Sequence, residues 1–346
     1  MAEPRPTVWV SQPLIEDVIA PLRARVDLRE TTEVTVWTPQ QLAAQLADVD
    51  AAIVTLNERI GAAQLADASR LQVIANVGVG YNNLDVAALS AAGILASNTP
   101  DVLTETTADL GFALLMAAAR RITESERWLR EGNWSQWSFQ TMLGADLHGS
   151  TLGILGMGRI GQGIARRGAL GFGMKVLYHN RSPLPASTEA ELGAQYVDFD
   201  TLLARSDHLV LVLPYTPASH HIIDAAALAK MKPTATLVNI ARGGIVDELA
   251  LADALGRGRL AAAALDVYEG EPQVRPELLA LRNVVLTPHI GSASLATRRA
   301  MVQLAVDNLL AGLGQQGSAA SMPSPINAEA ALAARVARAA GNDKKR

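Results

Sequence analysis

The sequence predicts an α/β chain of two lobes, each a doubly wound parallel sheet. Three observations predict it. Short apolar runs of strand length alternate with segments of helical period along most of the chain, the pattern left by strands joined through crossover helices. A glycine-rich stretch near the middle, TLGILGMGRIGQGIARRGALGFGMKVLYHNRS at 151–182, reads as strand, glycine turn, helix and second strand. A chain of 346 residues is also long for one core, so two lobes are expected.

The elements follow in order. Runs at 7–10, 34–36, 51–55, 73–76 and 94–97 read as strands, with helical patterns at 13–25, 39–47, 62–68 and 84–92 between them. Asn98-Thr99-Pro100-Asp101 is a break and a helix start. The helix it opens, 103–120, is apolar nearly all round, so it is expected to be buried on several sides or to meet a second copy of the chain. A more polar segment and an aromatic loop with Trp134, Trp137 and Phe139 come next. In the glycine-rich stretch, 152–155 is a strand, 160–170 a helix and 175–178 a strand. Strands at 194–197, 208–213, 236–240, 262–267 and 284–287 then alternate with helices from 201, at 225–230 and at 248–256. A helix at 293–312 closes this pattern, and the alanine-rich, then charged end from 327 to 346 is expected to be solvated or frayed.

The expected division is residues 1–100 as a substrate lobe completed by 291–330, residues 101–290 as a dinucleotide lobe, and 331–346 as a flexible tail. Because the chain would pass twice between lobes, a hinge with a cleft is expected there.

Composition narrows the function. With 49% hydrophobic and 18% charged residues the chain is an ordinary globular protein, and its formal charge of −4 gives no basic field for nucleic acid and no polybasic patch for a membrane. There are no cysteines, which excludes disulfides, thiol nucleophiles and cysteine-ligated metals and fits a reducing cytoplasm. The opening MAEPRPTVWVSQP lacks the apolar core of a signal peptide, and no run reaches membrane-spanning length. A cytoplasmic protein is expected, with neither nucleic acid nor membrane as partner.

The triplet Gly156, Gly158, Gly161 stands between a strand and a helix, where each glycine has a reason. The first permits the tight turn, the second lets the backbone approach a pyrophosphate, and the third lets helix and strand pack closely. Helical N–H groups at the turn then face the phosphates. The second strand ends in His179, Asn180, Arg181, Ser182, with no carboxylate to hold a ribose 2′-hydroxyl, whereas Arg181 offers a fork of donors suited to a 2′-phosphate. NADPH is the preferred cofactor and NADH the alternative. In the first lobe, the loop from Asn76 to Asn83 carries Gly78 and Gly80, which free backbone N–H groups to approach an anion such as a carboxylate.

Three later strand ends each deliver a polar group: Arg242 in ARGG, Glu271 in EGEP and His289 in PHIG. Singly, each has an ordinary structural explanation. Together, at the carboxyl edge of a sheet that binds a nicotinamide, they fit carbonyl reduction. Hydride adds to a keto carbon, and the oxygen needs a proton. His289 is the natural donor near neutral pH, Glu271 would orient the imidazole and stabilise its charged form, and Arg242 can bind a substrate carboxylate and polarise the carbonyl.

The chain resembles the D-isomer-specific 2-hydroxyacid dehydrogenases, among them glyoxylate/hydroxypyruvate and 2-ketogluconate reductases. The resemblance runs through NVGVGYNN, NTPDVLTETTADL, GILGMGRIGQGIA, VNIARGGIVDE, ALDVYEGEP and PHIGSAS. It implies a flavodoxin-like substrate domain and a Rossmann-type cofactor domain, with Arg242, Glu271 and His289 as the catalytic triad. It further implies cofactor contacts from Thr104, Arg159, Ile160, Pro214 and Asp266, beside the three glycines, Asn180, Arg181, Ser182, Ile240 and Gly291. Val77 and Gly78 would hold the substrate carboxylate, Asp266 would face the nicotinamide carboxamide, and Trp137 would reach the active site of a neighbouring subunit. The implied assembly is a homodimer paired through the cofactor lobes, and the implied substrate is a small 2-keto or 2-hydroxy acid.

Rival readings are a nucleotide-sensing protein like the corepressors that share this build, and phosphoglycerate, phosphite or formate dehydrogenases. No metal site is expected: His220 and His221 are adjacent, which disfavours their facing one ion, and no HExxH spacing occurs. A serine-hydrolase elbow, GxSxG, is also absent.

Overall fold

Two sheets carry the structure, and every pairing between their strands is parallel. The computed structural model describes residues 5–314 and 321–343. The chain divides into two compact units, Met1–Leu103 with Ser294–Arg346, and Thr104–Ala293.

The first unit opens with β1 (Thr7–Val10), α1 (Glu16–Ile19), β2 (Asp27–Glu30), α2 (Pro39–Leu46), β3 (Ala51–Val54), α3 (Ala62–Leu65), β4 (Val73–Asn76), α4 (Val86–Ala91) and β5 (Leu95–Ser97). The strand order is β2-β1-β3-β4-β5. Strands β1, β3 and β4 are buried along their whole length, as strands covered on both faces must be. The edge strand differs from expectation. Val34 and Val36 are 84% and 89% exposed and form no strand, and the edge is instead DLRE at Asp27–Glu30. An edge strand needs only backbone pairing on one side, and charged side chains protect its open side, so it leaves no apolar run to read. The helix expected over 13–25 is likewise broken: α1 gives way to a 3₁₀ turn at Ala20–Ala24, where Pro21 has no N–H to continue the ladder.

The second unit comprises α5 (Thr104–Ala119), α6 (Ile122–Arg130), β6 (Thr151–Leu155), α7 (Arg159–Arg166), β7 (Lys175–His179), α8 (Ala186–Leu192), β8 (Ala194–Tyr196), α9 (Phe199–Arg205), β9 (His208–Leu211), α10 (Ala225–Lys230), β10 (Thr236–Asn239), α11 (Glu248–Gly256), β11 (Ala262–Leu265), α12 (Pro276–Leu279) and β12 (Val284–Leu286). Its order is β12-β11-β10-β9-β6-β7-β8. The chain starts at β6 in the interior, builds β7 and β8 to one side, then returns to lay β9 on the other. That reversal puts a crevice at the carboxyl ends of β6 and β9, where ligands of open α/β sheets bind. Helix α5 packs against α7, β10 and β11 through small residues. A Cβ on Gly111 would sit 2.7 Å from Ile240, and one on Gly163 2.9 Å from Ala108.

The chain closes on the first unit. Helix α13 (Leu295–Gly312) lies on β3, β4 and β5, and α14 (Ala328–Asp343) on α4 and β5. The frayed tail expected from 327 onward is therefore a docked helix as far as Asp343; residues 344–346 lie outside the described residues. Asn327 anchors it. Its Oδ1 accepts the Ala96 N–H at 2.8 Å, and its Nδ2 donates to Ile94 O and Ser90 Oγ, both at 3.0 Å. Ala331 is fully buried, and Arg335 donates to the carbonyls of Gly93 and Gln72.

Candidate active site

The glycine turn after β6 is shaped as its three roles demand. Gly156 has φ 102°, a conformation that favours glycine, and a Cβ there would lie 2.7 Å from Leu213 N at the end of β9. A Cβ on Gly161 would lie 2.4 Å from Gly156 O, so helix and strand touch at that point. Gly158, at the N-cap of α7, faces nothing within 4 Å. Open space in front of a glycine at a helix N-terminus, with the first-turn amides of Arg159 and Ile160 behind it, is what a pyrophosphate requires. The residues present thus fit a dinucleotide.

The end of β7 completes this cradle. Asn180 Oδ1 accepts the Met157 N–H at 2.7 Å, so its side chain holds the glycine turn. Arg181 and Ser182 are exposed, and no carboxylate stands with them. Pro214 is exposed just past β9, its carbonyl accepting from Ser219 Oγ. Thr104 is half-buried at the first position of α5. The Ile240 side chain is buried against α5 at Gly111, which leaves its backbone as the part a cofactor could meet.

Strand ends β10, β11 and β12 bring the charged set together. After β10, Asn239 shapes the turn: its Nδ2 donates to Arg242 O at 2.9 Å and its Oδ1 accepts the Ala241 N–H at 3.0 Å. Gly243 lies under the next loop, where a Cβ would come within 1.8 Å of Tyr268 C. Only glycine lets the Arg242 loop pack there. Arg242 is half-buried, which works against its charge, while Glu271 supports it. His289 Nδ1 lies 2.8 Å from Glu271 Oε2, and Glu271 Oε1 accepts the Tyr268 N–H at 2.9 Å. Burial alone would raise the Glu271 pKa. The His289 hydrogen bond and charge, the Tyr268 N–H and the Arg242 charge outweigh it and hold the carboxyl below its ordinary value.

Asp266, just past β11 and 1% exposed, organises the His289 loop. Its Oδ1 accepts from Thr287 Oγ1 at 2.6 Å and Ile290 N at 2.8 Å, and its Oδ2 accepts Gly291 N at 2.8 Å. Burial raises its pKa, and these donors and the His289 charge oppose the rise. One lone pair on Oδ2 is left over for a further donor. The anchor has a reason: His289 has φ 52°, a left-handed conformation unusual for a residue other than glycine, and the bonds on either side of it hold it there.

Three supporting residues carried no signal in the sequence. Glu248, 2% exposed, accepts the Glu269 N–H at 2.6 Å and so fixes the loop that carries Glu271. Tyr268 donates its hydroxyl to Thr287 O at 2.9 Å, and Thr287 holds Asp266. A buried glutamate at a helix start and a threonine after a strand look ordinary until their partners are known.

In the first unit, the loop after β4 spends some of its expected donors internally. The Val77 N–H donates to Val54 O at 2.8 Å and the Gly78 N–H to Asn76 O at 3.0 Å. Among the described residues, the N–H groups of Val79 and Gly80 have no acceptor. Trp137 lies in the second unit on an exposed segment, 68% exposed, with its ring centroid 4.6 Å from that of Phe139.

A family model described as the D-isomer specific 2-hydroxyacid dehydrogenase NAD-binding domain matches residues 112–291, the span that carries the glycine turn, Arg242, Glu271 and His289. The chain belongs to this family. Similar D-2-hydroxyacid dehydrogenases include the glyoxylate reductase of Thermococcus onnurineus, 47% identical over 82% of this chain and 87% of that protein. The glyoxylate/hydroxypyruvate reductase B of Erwinia tasmaniensis is 46% identical over 89% of this chain and 96% of its own. Among solved structures, the NADPH-dependent glyoxylate/hydroxypyruvate reductase of Sinorhizobium meliloti, in complex with NADP and malonate, aligns with a TM-score of 0.82 at 34% identity, covering 94% of this chain and 97% of that one.

Proposed function

We propose that this D-2-hydroxyacid dehydrogenase reduces glyoxylate or hydroxypyruvate, with 2-ketogluconate as a larger candidate, to the D-2-hydroxy acid, using NADPH in preference to NADH. The observation that carries this reading is the 2.8 Å pairing of His289 with Glu271 on loops adjoining the Arg242 turn. The names of the relatives support the substrate class. The carboxylate-free end of β7, with Arg181 exposed, supports NADPH, as does the relative solved with NADP.

Bound reduced nicotinamide would supply hydride to the keto carbon. Everything else falls to the chain. Glu271 occupies Nδ1 of His289, which leaves Nε2 to give the proton to the carbonyl oxygen. Arg242 stays protonated despite burial because guanidinium is so basic, and it pairs with the substrate carboxylate and polarises the carbonyl. In the first unit, the backbone of Val77 and Gly78, continued by the N–H groups of Val79 and Gly80, is the carboxylate-binding loop. Gly156, Gly158 and Gly161, with the α7 amides of Arg159 and Ile160, hold the pyrophosphate, Arg181 and Ser182 the 2′-phosphate, and Asp266 the carboxamide. Thr104, Pro214 and the backbone of Ile240 and Gly291 line the same cradle.

The working form is a cytoplasmic homodimer joined through the cofactor units. Trp134, Trp137, Phe139 and Leu143, at least 56% exposed, support such a surface, with Trp137 reaching the partner's site. No helix of the described residues is long and apolar enough to cross a membrane. Mixing the protein with NADPH and each 2-keto acid and following nicotinamide absorbance tests the reading. Oxidation that requires the keto acid and disappears in His289→Ala supports it. Absence of oxidation with all three acids would overturn it in favour of a nucleotide-sensing protein.

A further inference from the structure

A second cluster of chemistry-bearing side chains lies outside the triad. His220 and His221 follow one another after β9, and neighbours in extended chain point to opposite sides, the ground on which a shared ion was not expected. The backbone removes that objection. His221 has φ 49°, with its N–H donating to Gly244 O at 2.8 Å and the Ile223 N–H to Ile245 O at 3.1 Å. The kink brings the two imidazoles to the same side as a stack, with centroids 3.8 Å apart and planes 25° from parallel, so that one ring has only to turn out of the stack to aim its in-plane lone pair at an ion held by the other. One ring nitrogen from each and one oxygen of Glu269 then lie within 4.8 Å of one another.

Each histidine has one side-chain partner in the present arrangement. His221 Nε2 is 3.1 Å from Glu269 Oε2, and His220 Nδ1 is 3.2 Å from the Tyr215 hydroxyl. The Glu269 backbone is pinned by Glu248, while its carboxylate pairs with His221 at 3.1 Å and more distantly with Arg275 at 3.9 Å. Two imidazoles and a carboxylate gathered within 4.8 Å are a donor set for one divalent ion.

We propose that His220, His221 and Glu269 bind a divalent transition-metal ion of the zinc, nickel or copper class. Two imidazole nitrogens and one carboxylate oxygen suit those ions, whereas magnesium and calcium call for oxygen throughout. Metal bonds of about 2.0–2.1 Å set tetrahedral ligand atoms roughly 3.3 Å apart. Rotation of the exposed His220 ring can close the present spread, and water takes the fourth position. Gly244 is two residues past Arg242, and Glu269 two residues before Glu271. The bound ion therefore ties the His220–His221 segment, whose backbone bonds Gly244 of the Arg242 loop, to the loop that carries Glu271, and it does so whether or not the chain turns over a keto acid.

The test uses tag-free, full-length protein stripped with a chelator and titrated with zinc chloride by calorimetry, and with cobalt(II) followed in the visible range. One ion per chain is expected, with tetrahedral cobalt bands and a higher melting temperature. In His220→Ala and His221→Asn, asparagine being a residue that tolerates the left-handed backbone, affinity should fall at least tenfold. Glu269→Gln should weaken binding as well. Melting temperatures in chelator that match the parent show that the variants fold. The absence of both binding heat and cobalt bands in the parent protein would overturn the proposal, and so would binding unchanged in the His220→Ala and His221→Asn variants.

Discussion

Glu271 divides its two oxygens between His289 Nδ1, at 2.8 Å, and the Tyr268 N–H, at 2.9 Å, so the imidazole is oriented by a carboxylate that is itself held by backbone. Burial pushes the Glu271 pKa up, but His289, Tyr268 and Arg242 together bring it below the ordinary value. The carboxylate is thus ionised through neutral pH. Its contribution to stability is present above the unfolded-state pKa and is lost as pH falls through the lower folded one.

The rate follows a different sign. In the proposed reaction His289 gives up a proton as the keto acid is reduced, so reductive kcat/KM should fall as pH rises, and alcohol oxidation should show the opposite trend. In Glu271→Gln the imidazolium loses its counter-charge, and the descending limb should move to lower pH. Removing the proposed proton donor in His289→Ala should cost about 10²–10⁴-fold. pH profiles of both directions check this; a limb that stays in place in Glu271→Gln would remove the carboxylate from the scheme.

Asp266 accepts three donors with both oxygens. Asp266→Asn turns an NH₂ group toward one of them and leaves a buried donor unsatisfied, a loss of about 1–3 kcal/mol. The His289 loop should loosen, so kcat should fall along with the melting temperature. A variant that melts lower with unchanged kcat would show that the loop's position does not depend on this anchor.

Arg181 is the exposed cation at the end of β7. A charge-assisted contact to a phosphate contributes about 1.5–3 kcal/mol, so Arg181→Ala should weaken NADPH about tenfold or more while leaving NADH nearly unchanged. Fluorescence titration with both cofactors measures the two constants. Equal losses would mean that the 2′-phosphate lies elsewhere.

What was legible in the sequence is what repeats a physical pattern. The buried strands β3, β4, β6 and β9 are built on short apolar runs, and Arg242, Glu271 and His289 each sit past the end of such a strand, so the sheet and its candidate chemical edge could be read together. The misses have a common cause. β2 is held by backbone pairing to β1 and carries the polar residues of an edge, and α14 docks by alanines and by Asn327, whose partners lie more than two hundred residues away. The kink at His221 was silent for its own reason: a left-handed residue leaves no mark in its own letter unless it is glycine.

The glycine turn supplies a test that separates folding from binding. At Gly161 a methyl group would meet Gly156 O at 2.4 Å, backbone that cannot yield without parting α7 from β6. Gly161→Ala should therefore lower the melting temperature, by overpacking of about 1–3 kcal/mol. At Gly158 the same methyl group meets nothing within 4 Å and the backbone has no positive φ, so Gly158→Ala should fold and melt close to the parent, the less free unfolded chain offsetting the poorer N-cap. Its methyl group would nevertheless stand where the pyrophosphate approaches, and NADPH affinity should drop. Thermal melting and cofactor titration of the two variants give opposite patterns if the space before Gly158 is the phosphate site. Unchanged NADPH affinity in Gly158→Ala, with the fold intact, would place the phosphates somewhere else.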